Sequence, residues 1–282
     1  MDSNGKVVVI TGASMGIGEA LASEFLLHGA TVVLSSRDQA RVEAARQRVL
    51  AAASAKSAEQ KTAAITCDVR SRAAIEQLAA EIQHRYGSID VWVNNAGFGV
   101  LDSIERVDIA AAKDMFATNL VAPIEAMQVV APIMRAQHSG TIVNISSVAG
   151  HIAVPYMGTY CASKHALNAI SKAARLELKG SGVNVLNVCP GFIRTNFGVN
   201  AVKGSDRMRI DENLRRGITA ERLARAIVRG VAKRKREIVV PWNNWLFVKL
   251  YQFAPQLVEW TMSKAVKPAT GEWAEDANTQ PR

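Results

Sequence analysis

At 282 residues, 49% of them hydrophobic, the chain is long enough for one large domain and does not force a second. Its net charge of +9 is concentrated: between Lys203 and Arg236 twelve Lys or Arg stand against four Asp or Glu, so the remainder is nearly neutral. Three widely spaced cysteines (Cys67, Cys161, Cys189) show no disulfide or metal-ligand pattern, and neither a leader nor an apolar span of ~20 residues is expected, which points to a reduced, cytoplasmic setting without a structural metal.

Val7 to Thr11 is a continuous apolar, β-branched run, as expected for a strand covered on both faces. A glycine-rich turn follows, then a helix from about Ile17 to His28 that Gly29 stops. Thr31 to Ser35 reads as a second strand and Asp38 to Ala55 as helix. Ala63 to Cys67 is the third strand, followed by a helix over Ser71 to Tyr86, and Val91 to Asn94 is the fourth. A long helix is predicted over Ala110 to Gln137, kinked at Pro123 or Pro132. Thr141 to Ile145, Val183 to Val188 and Ile238 to Val240 complete the strands, with helices over Tyr156 to Leu178 and Ala220 to Arg236. Repeated strand–helix units of this size imply an α/β fold. The expectation is a Rossmann-like doubly wound parallel sheet of about seven strands with helices on both faces, one domain over residues 1–240. Residues 191–219 are glycine- and charge-rich and are expected to form a substrate-covering loop with short helices.

Tyr160 and Lys164, four residues apart, share one face of a helix. There an ammonium can stabilise a phenolate. Lowering a tyrosine from ~10 by about 3 units takes on the order of 4 kcal/mol, and would let it act as acid or base near neutral pH. In Thr11-Gly12-Ala13-Ser14-Met15-Gly16-Ile17-Gly18, Gly12 suits the tight turn, Gly16 lets the backbone approach a pyrophosphate, and Gly18 lets the helix pack on the strand. The spacing G-x-x-x-G-x-G differs from the common dinucleotide fingerprint. The second strand ends Ser35-Ser36-Arg37. An acidic residue near here would bind a ribose 2′-hydroxyl, whereas Arg37 suits a 2′-phosphate, and Asp38 is better placed as a helix N-cap. NADP(H) is therefore preferred over NAD(H).

With these motifs the sequence resembles the short-chain dehydrogenase/reductase family over about residues 5–200. The glycine turn, Cys67-Asp68-Val69, Asn94-Asn95-Ala96-Gly97, Asn119, Ser147 in Asn144-Ile145-Ser146-Ser147, Tyr160 with Lys164, and Pro190-Gly191 each match a family motif. The resemblance implies hydride exchange between a nicotinamide and a carbonyl or secondary alcohol. Asn119, Ser147, Tyr160 and Lys164 would be catalytic. Tyr160 would move the proton, Lys164 would hold the nicotinamide ribose, Ser147 would bond the substrate oxygen, and Asn119 would hold a water joining Lys164 to solvent. Around the cofactor would stand Gly12, Ser14, Met15, Gly16, Ile17, Gly18, Ser36 and Arg37, with Asp68 and Val69 by the adenine. Asn95, Ala96 and Gly97 would line the fourth-strand loop, and Pro190, Gly191, Ile193 and Thr195 the nicotinamide end. The family also implies a homodimer or homotetramer, paired through the two long helices flanking the strand Thr141 to Ile145.

Alternatives stand beside these readings. Ser146 could replace Ser147, although the spacing to Tyr160 favours Ser147. Asn119 could tie backbone in a kinked helix. His151 behind Ser147 hints at a serine hydrolase, but no G-x-S-x-G elbow surrounds that serine. The fold could also serve as a catalytically idle dinucleotide sensor or scaffold. No nucleic-acid reader motif accompanies the basic segment. The aromatic tail, residues 241–282, is expected either to pack over the cleft or a subunit contact, or to lie at a membrane surface above a lipid-like substrate.

Overall fold

Side chains alternate across a strand, and this sorts the apolar runs onto two faces of one sheet. The structure, a computed structural model, describes residues 3–53, 58–195, 197–204 and 217–265. In β1 (Val7–Thr11) every residue is buried. Val8 and Ile10 join Val32, Leu34 and Val143 on one face, while Val7 and Val9 join Val33, Trp92 and Ile142 on the other. Helices α1 (Gly16–Leu27), α2 (Gln39–Ala53) and α8 (Ala220–Ala232) cover the first face, burying Phe25, Val42 and Ile227. Helices α3 (Arg72–Tyr86) and α5 (Ala122–Ala136) cover the second with Ile75, Leu78, Val130 and Met134. Each such side chain contributes roughly 1.5–3 kcal/mol by leaving water.

The sheet is parallel throughout, in the order β11-β7-β6-β4-β1-β2-β3. Its other strands are β2 (Thr31–Ser36), β3 (Thr62–Thr66), β4 (Val91–Asn94), β6 (Gly140–Ile145), β7 (Val183–Pro190) and β11 (Glu237–Val240). The chain runs outward from β1 through β2 to β3, then returns to lay β4 on the other side of β1. The loops after β1 and β4 therefore meet at the switch point, where open α/β sheets bind ligands. A buried polar chain locks α6 (Gly158–Glu177) onto the sheet: Asn94 Nδ2 donates to Asn144 Oδ1 at 2.8 Å, and Asn144 Nδ2 to Ser171 Oγ at 2.9 Å.

The long helix predicted from Ala110 is interrupted, but not as a simple proline kink. It comprises α4 (Ile109–Phe116), a π-helical turn at Ala117–Val121, and α5. Ala122 N–H bonds the Ala117 carbonyl five residues back. Pro123, four residues after Asn119, has no N–H with which to bond the Asn119 carbonyl. Contrary to the sequence expectation, the run Ile109–Ala136 is long and apolar enough by length and composition to cross a membrane. One flank of it, including Met115, Val130 and Met134, is buried in the protein.

The segment after Pro190 is more tied down than the loop expected. β8 (Ile193–Arg194) pairs with β10 (Ile218–Thr219), and β9 (Val202–Lys203) pairs with β5 (Val100–Leu101), around the one-turn α7 (Phe197–Asn200). Residues 205–216, with much of the basic segment, lie outside the described residues. The basic helix stops at Ala232, four residues early, and Arg234 takes a left-handed conformation at φ 48° and donates to the Gly182 carbonyl at 2.8 Å. The tail forms α9 (Asn243–Phe253) and α10 (Pro255–Ala265). Val248 packs on Val148 and Ile152, whereas Trp242, Leu246, Leu250, Phe253 and Leu257 stay exposed.

Candidate active site

Gly12 and Gly18 knit the turn after β1 to the loop after β4. A Cβ on Gly12 would lie 2.7 Å from Ala96 Cα, and one on Gly18 would lie 2.7 Å from Asn95 Nδ2. Thr11, absent from the sequence-derived site, organises this contact. Its Oγ1 donates to the Val93 carbonyl at 3.1 Å and accepts from the N–H groups of Asn95 and Ala96. Asn95 donates to the Thr11 and Gly12 carbonyls, both at 2.9 Å, so it braces the turn. The only sequence signal for Thr11 is a hydroxyl ending an apolar strand.

Gly16, at φ 61°, opens α1 and faces Thr195, whose Cγ2 would stand 3.5 Å from an added Cβ. Met15, the N-cap residue, places no side-chain cap on the helix, and Ile17 packs against the core below. A glycine cradle at an uncapped helix N-terminus fits a pyrophosphate, so the residues present fit the expected dinucleotide. Farther along, the Ser14 carbonyl accepts from Arg48 at 3.1 Å. Ser36 Oγ donates to the Asp38 carbonyl, and Asp38 Oδ1 accepts from Arg41 N at 3.0 Å, the capping role expected of it. Arg37 is exposed at the end of β2. The Arg70 fork, joined more weakly by the Arg37 charge, holds the Asp68 carboxyl below the usual range. Arg70 thus occupies the Asp68 carboxylate, at 2.7 Å, and Val69 packs on the core.

The sheet's carboxyl end also assembles the four expected catalytic residues. Ser147 follows β6, and its Oγ accepts from Ala149 N at 3.1 Å and reaches the Pro190 carbonyl at 3.5 Å. Ser146 instead turns inward to the Lys164 carbonyl at 3.3 Å. Lys164 Nζ stands 5.9 Å from the Tyr160 ring centre, donates to the Ile145 carbonyl at 2.9 Å, and lies near Gly97. His151 directs its Nε2 toward Cys189 and Asn168, which does not make a hydrolase base.

Two expectations change. Burial pushes the Tyr160 phenol up to about 12, opposed by a hydrogen bond with Ser147, and the same burial draws the Lys164 ammonium down to about 8. Desolvation therefore outweighs the Ser147 hydrogen bond, so the protein's own groups raise the phenol, whereas the lowering expected from sequence counts on the charge of a bound cofactor as well. Asn119 is fully buried, and its amide is committed to the loop after β4: Oδ1 accepts from Phe98 N at 3.1 Å and Nδ2 donates to the Phe98 carbonyl at 2.9 Å. The alternative reading, that Asn119 ties backbone, describes its side chain.

At the far side, Gly191 N bonds the Val240 carbonyl at 2.8 Å, and a Cβ there would collide with Asn244 of α9. Ile193 is buried within its ladder, and Thr195 Oγ1 accepts from Phe197 N at 3.3 Å. Phe197, also missed from sequence, lays its ring 5.5 Å from that of Tyr160. Apolar groups surround this end: Val100, Met115, Ala149 and Cys161, with Phe98 and Met157.

Comparison with known proteins agrees with this geometry. The family model described as short chain dehydrogenase matches residues 6–206. The chain is 34% identical over 237 residues to Dehydrogenase/reductase SDR family member 7B of Danio rerio, covering 83% of this chain and 77% of that protein. It is 35% identical to Ketoacyl reductase HetN of Nostoc sp., covering 85% of this chain and 79% of that protein. Among solved structures, a short-chain dehydrogenase/reductase from Burkholderia phymatum in complex with NAD superposes with a TM-score of 0.80 at 26% identity, over 91% of this chain and 96% of that one. A short-chain dehydrogenase from Streptomyces avermitilis gives 0.77 at 28% identity, over 94% and 99%. The chain belongs to the short-chain dehydrogenase/reductase family, oxidoreductases that bind a nicotinamide dinucleotide in this fold and act on alcohol or carbonyl groups.

Proposed function

We propose that this oxidoreductase uses NADP(H) in preference to NAD(H) to interconvert a carbonyl and a secondary alcohol on an apolar, lipid-like substrate. The observation that carries this is a buried phenol, hydrogen-bonded to Ser147 and one helical turn from Lys164, beside the glycine cradle. When bound, the nicotinamide supplies or accepts the hydride. In the reducing direction Tyr160 O–H donates its proton to the substrate oxygen. A phenol held near 12 keeps that proton at neutral pH but gives it up reluctantly, so the transfer depends on groups that stabilise the phenolate. Ser147 donates a hydrogen bond to the same oxygen. Lys164, with a pKa of about 8, is mostly protonated at pH 7 and supplies the charge that favours the phenolate once the proton has left. Asn119 holds Phe98 in place, and its backbone carbonyl would anchor the water that links Lys164 to solvent.

Arg37 supports NADP(H): it is the exposed cation at the end of β2, and Asp38 beside it is engaged as a cap. The apolar surround of Tyr160 supports a lipid-like substrate, and the name of the Nostoc relative, a ketoacyl reductase, points the same way. In Tyr160→Phe, carbonyl-dependent NADPH oxidation should fall by about 10²-fold or more while NADPH binding persists. An unchanged rate would support the idle sensor instead. Arg37→Ala should weaken NADPH about 10–100-fold and leave NADH alone. Tighter NADH than NADPH binding to the unaltered protein would overturn the preference.

For assembly and location we propose a cytoplasmic homodimer or homotetramer pairing through α5 and α6, with peripheral contact to an anionic membrane through α9 and α10. Trp242, exposed by 71%, lines one pocket with Lys233 and Lys235, and Phe253, exposed by 85%, follows Lys249 by one turn of α9, a pairing of apolar and cationic groups suited to an interfacial helix. The full chain and its Trp242→Ser, Phe253→Ser variant are compared by sedimentation with phosphatidylserine vesicles. Equal pelleting of the two removes the membrane proposal.

A further inference from the structure

Behind Ser147, three side chains from three separate elements converge. His151 follows the 3₁₀ turn Val148–Gly150, Cys189 is the penultimate residue of β7, and Glu237 opens β11. His151 Nε2 lies 3.3 Å from Cys189 Sγ and 3.8 Å from Glu237 Oε2, and all three donor atoms fall within 4.8 Å of one another. A tetrahedral zinc, with Zn–S near 2.3 Å and Zn–N near 2.0 Å, holds its ligand atoms roughly 3.3–3.8 Å apart. The two distances from His151 Nε2 already match that spacing, and the third lies within 4.8 Å.

The surroundings have the form of an outer shell. Asn187 Nδ2 donates to Glu237 Oε2 at 3.0 Å and to Cys189 Sγ at 3.3 Å, orienting both. Asn168 Nδ2 lies 3.3 Å from His151 Nε2, the nitrogen that would ligate, and turns aside when an ion takes that lone pair. Among the described residues, the buried Oδ1 of Asn187 is one of two side-chain polar atoms with no hydrogen-bond partner, which a bound and hydrated ion would remedy. Cys189 is fully buried, whereas the Glu237 side chain is 26% exposed and gives the ion a way in. Lys172 Nζ sits 4.0 Å from Glu237 but is 59% exposed, so it can withdraw to solvent.

We propose that His151, Cys189 and Glu237 form a divalent transition-metal site of the zinc type, with water as fourth ligand, separate from the dinucleotide groove. Thiolate, imidazole and carboxylate are together a zinc donor set, and three protein ligands leave one position open. Binding would release the Cys189 thiol proton to solvent. Sequence spacing shows no such pattern because the ligands lie on three elements. The site would fasten β7 to β11 and to the turn that begins at Ser147, whose Oγ already reaches the carbonyl next to Cys189.

The test titrates the full chain, stripped with EDTA and kept reduced, with Zn²⁺ against a chromogenic chelator and, separately, with Co²⁺. The expected result is one equivalent of Zn²⁺ and a Co²⁺ spectrum with tetrahedral visible bands and a thiolate charge-transfer band. Cys189→Ser should lose the charge-transfer band, and Glu237→Gln, at a partly exposed position, should weaken Zn²⁺ at least about tenfold. Melting in EDTA checks that each variant folds; should Cys189→Ser fail, Glu237→Gln alone decides. Absence of stoichiometric Zn²⁺, a charge-transfer band that survives in Cys189→Ser, or unchanged Zn²⁺ affinity in Glu237→Gln would overturn the site.

Discussion

Replacing Lys164 by Met should abolish turnover and stabilise the fold in the same stroke. Burial lowers the Lys164 ammonium from 10.5 to about 8, so at pH 7 the folded protein carries a charge that the unfolded chain solvates better. A shift of that size corresponds to about 3 kcal/mol. Methionine is of similar length and uncharged, and removes that penalty. Against it stands the loss of the 2.9 Å bond to the Ile145 carbonyl, a deficit of about 1–3 kcal/mol. The net gain at pH 7 is about 1 kcal/mol, or about 2–4 °C in Tm. The sign follows from linkage. A depressed folded pKa makes wild-type stability rise with pH from about 8 to 10.5, where the unfolded chain binds the extra proton. Methionine has nothing to regain, so its advantage should shrink over that window and reverse at its upper end. Thermal melts of both proteins without added dinucleotide, from pH 7 to 10.5, test this. A variant that melts well below wild type at pH 7, or a difference constant with pH, would refute the reasoning.

Other substitutions probe the scaffold. Gly18→Ala should destabilise the protein and weaken dinucleotide binding, because its Cβ would sit 2.7 Å from Asn95 Nδ2 and the Gly12 carbonyl; Gly158→Ala, in open space at the start of α6, should melt at or slightly above wild type. Equal melting of these two would contradict the cradle geometry. Asn119→Ala should cost about 2–4 kcal/mol and deprotect the Phe98 amide in hydrogen exchange, since Oδ1 is that amide's acceptor. Continued protection would show that Asn119 does not hold the loop. Trp92→Ala, at a fully buried position whose Nε1 donates to Asn94 at 2.9 Å, should cost about 3–5 kcal/mol by chemical denaturation; a loss under 1 kcal/mol would mean that the core collapses into the space.

Much of the architecture is legible in the sequence. Apolar runs such as Val7 to Thr11 mark all seven strands of the main sheet, and Gly29 marks a helix stop. These features depend on neighbours in the chain, on backbone sterics and on side-chain period, all of which are written locally. Boundaries were less legible where nothing local marks them. The basic helix ends at Ala232 because Arg234 bonds the distant Gly182 carbonyl, and the π turn at Ala117–Val121 needs both Pro123 and the pull of the Phe98 loop on Asn119.

The sequence by itself determined the parallel α/β sheet, the glycine cradle at a helix start, and the placing of a phenol and an amine one turn apart. Tertiary structure alone decided that burial drives Tyr160 up and Lys164 down, that Asn119 clamps a loop, and that His151, Cys189 and Glu237 converge. Period and turn chemistry act over a few residues, so they can be read along the chain. Desolvation and convergence are sums over every element packed around a group, and they exist only once the chain has closed on itself.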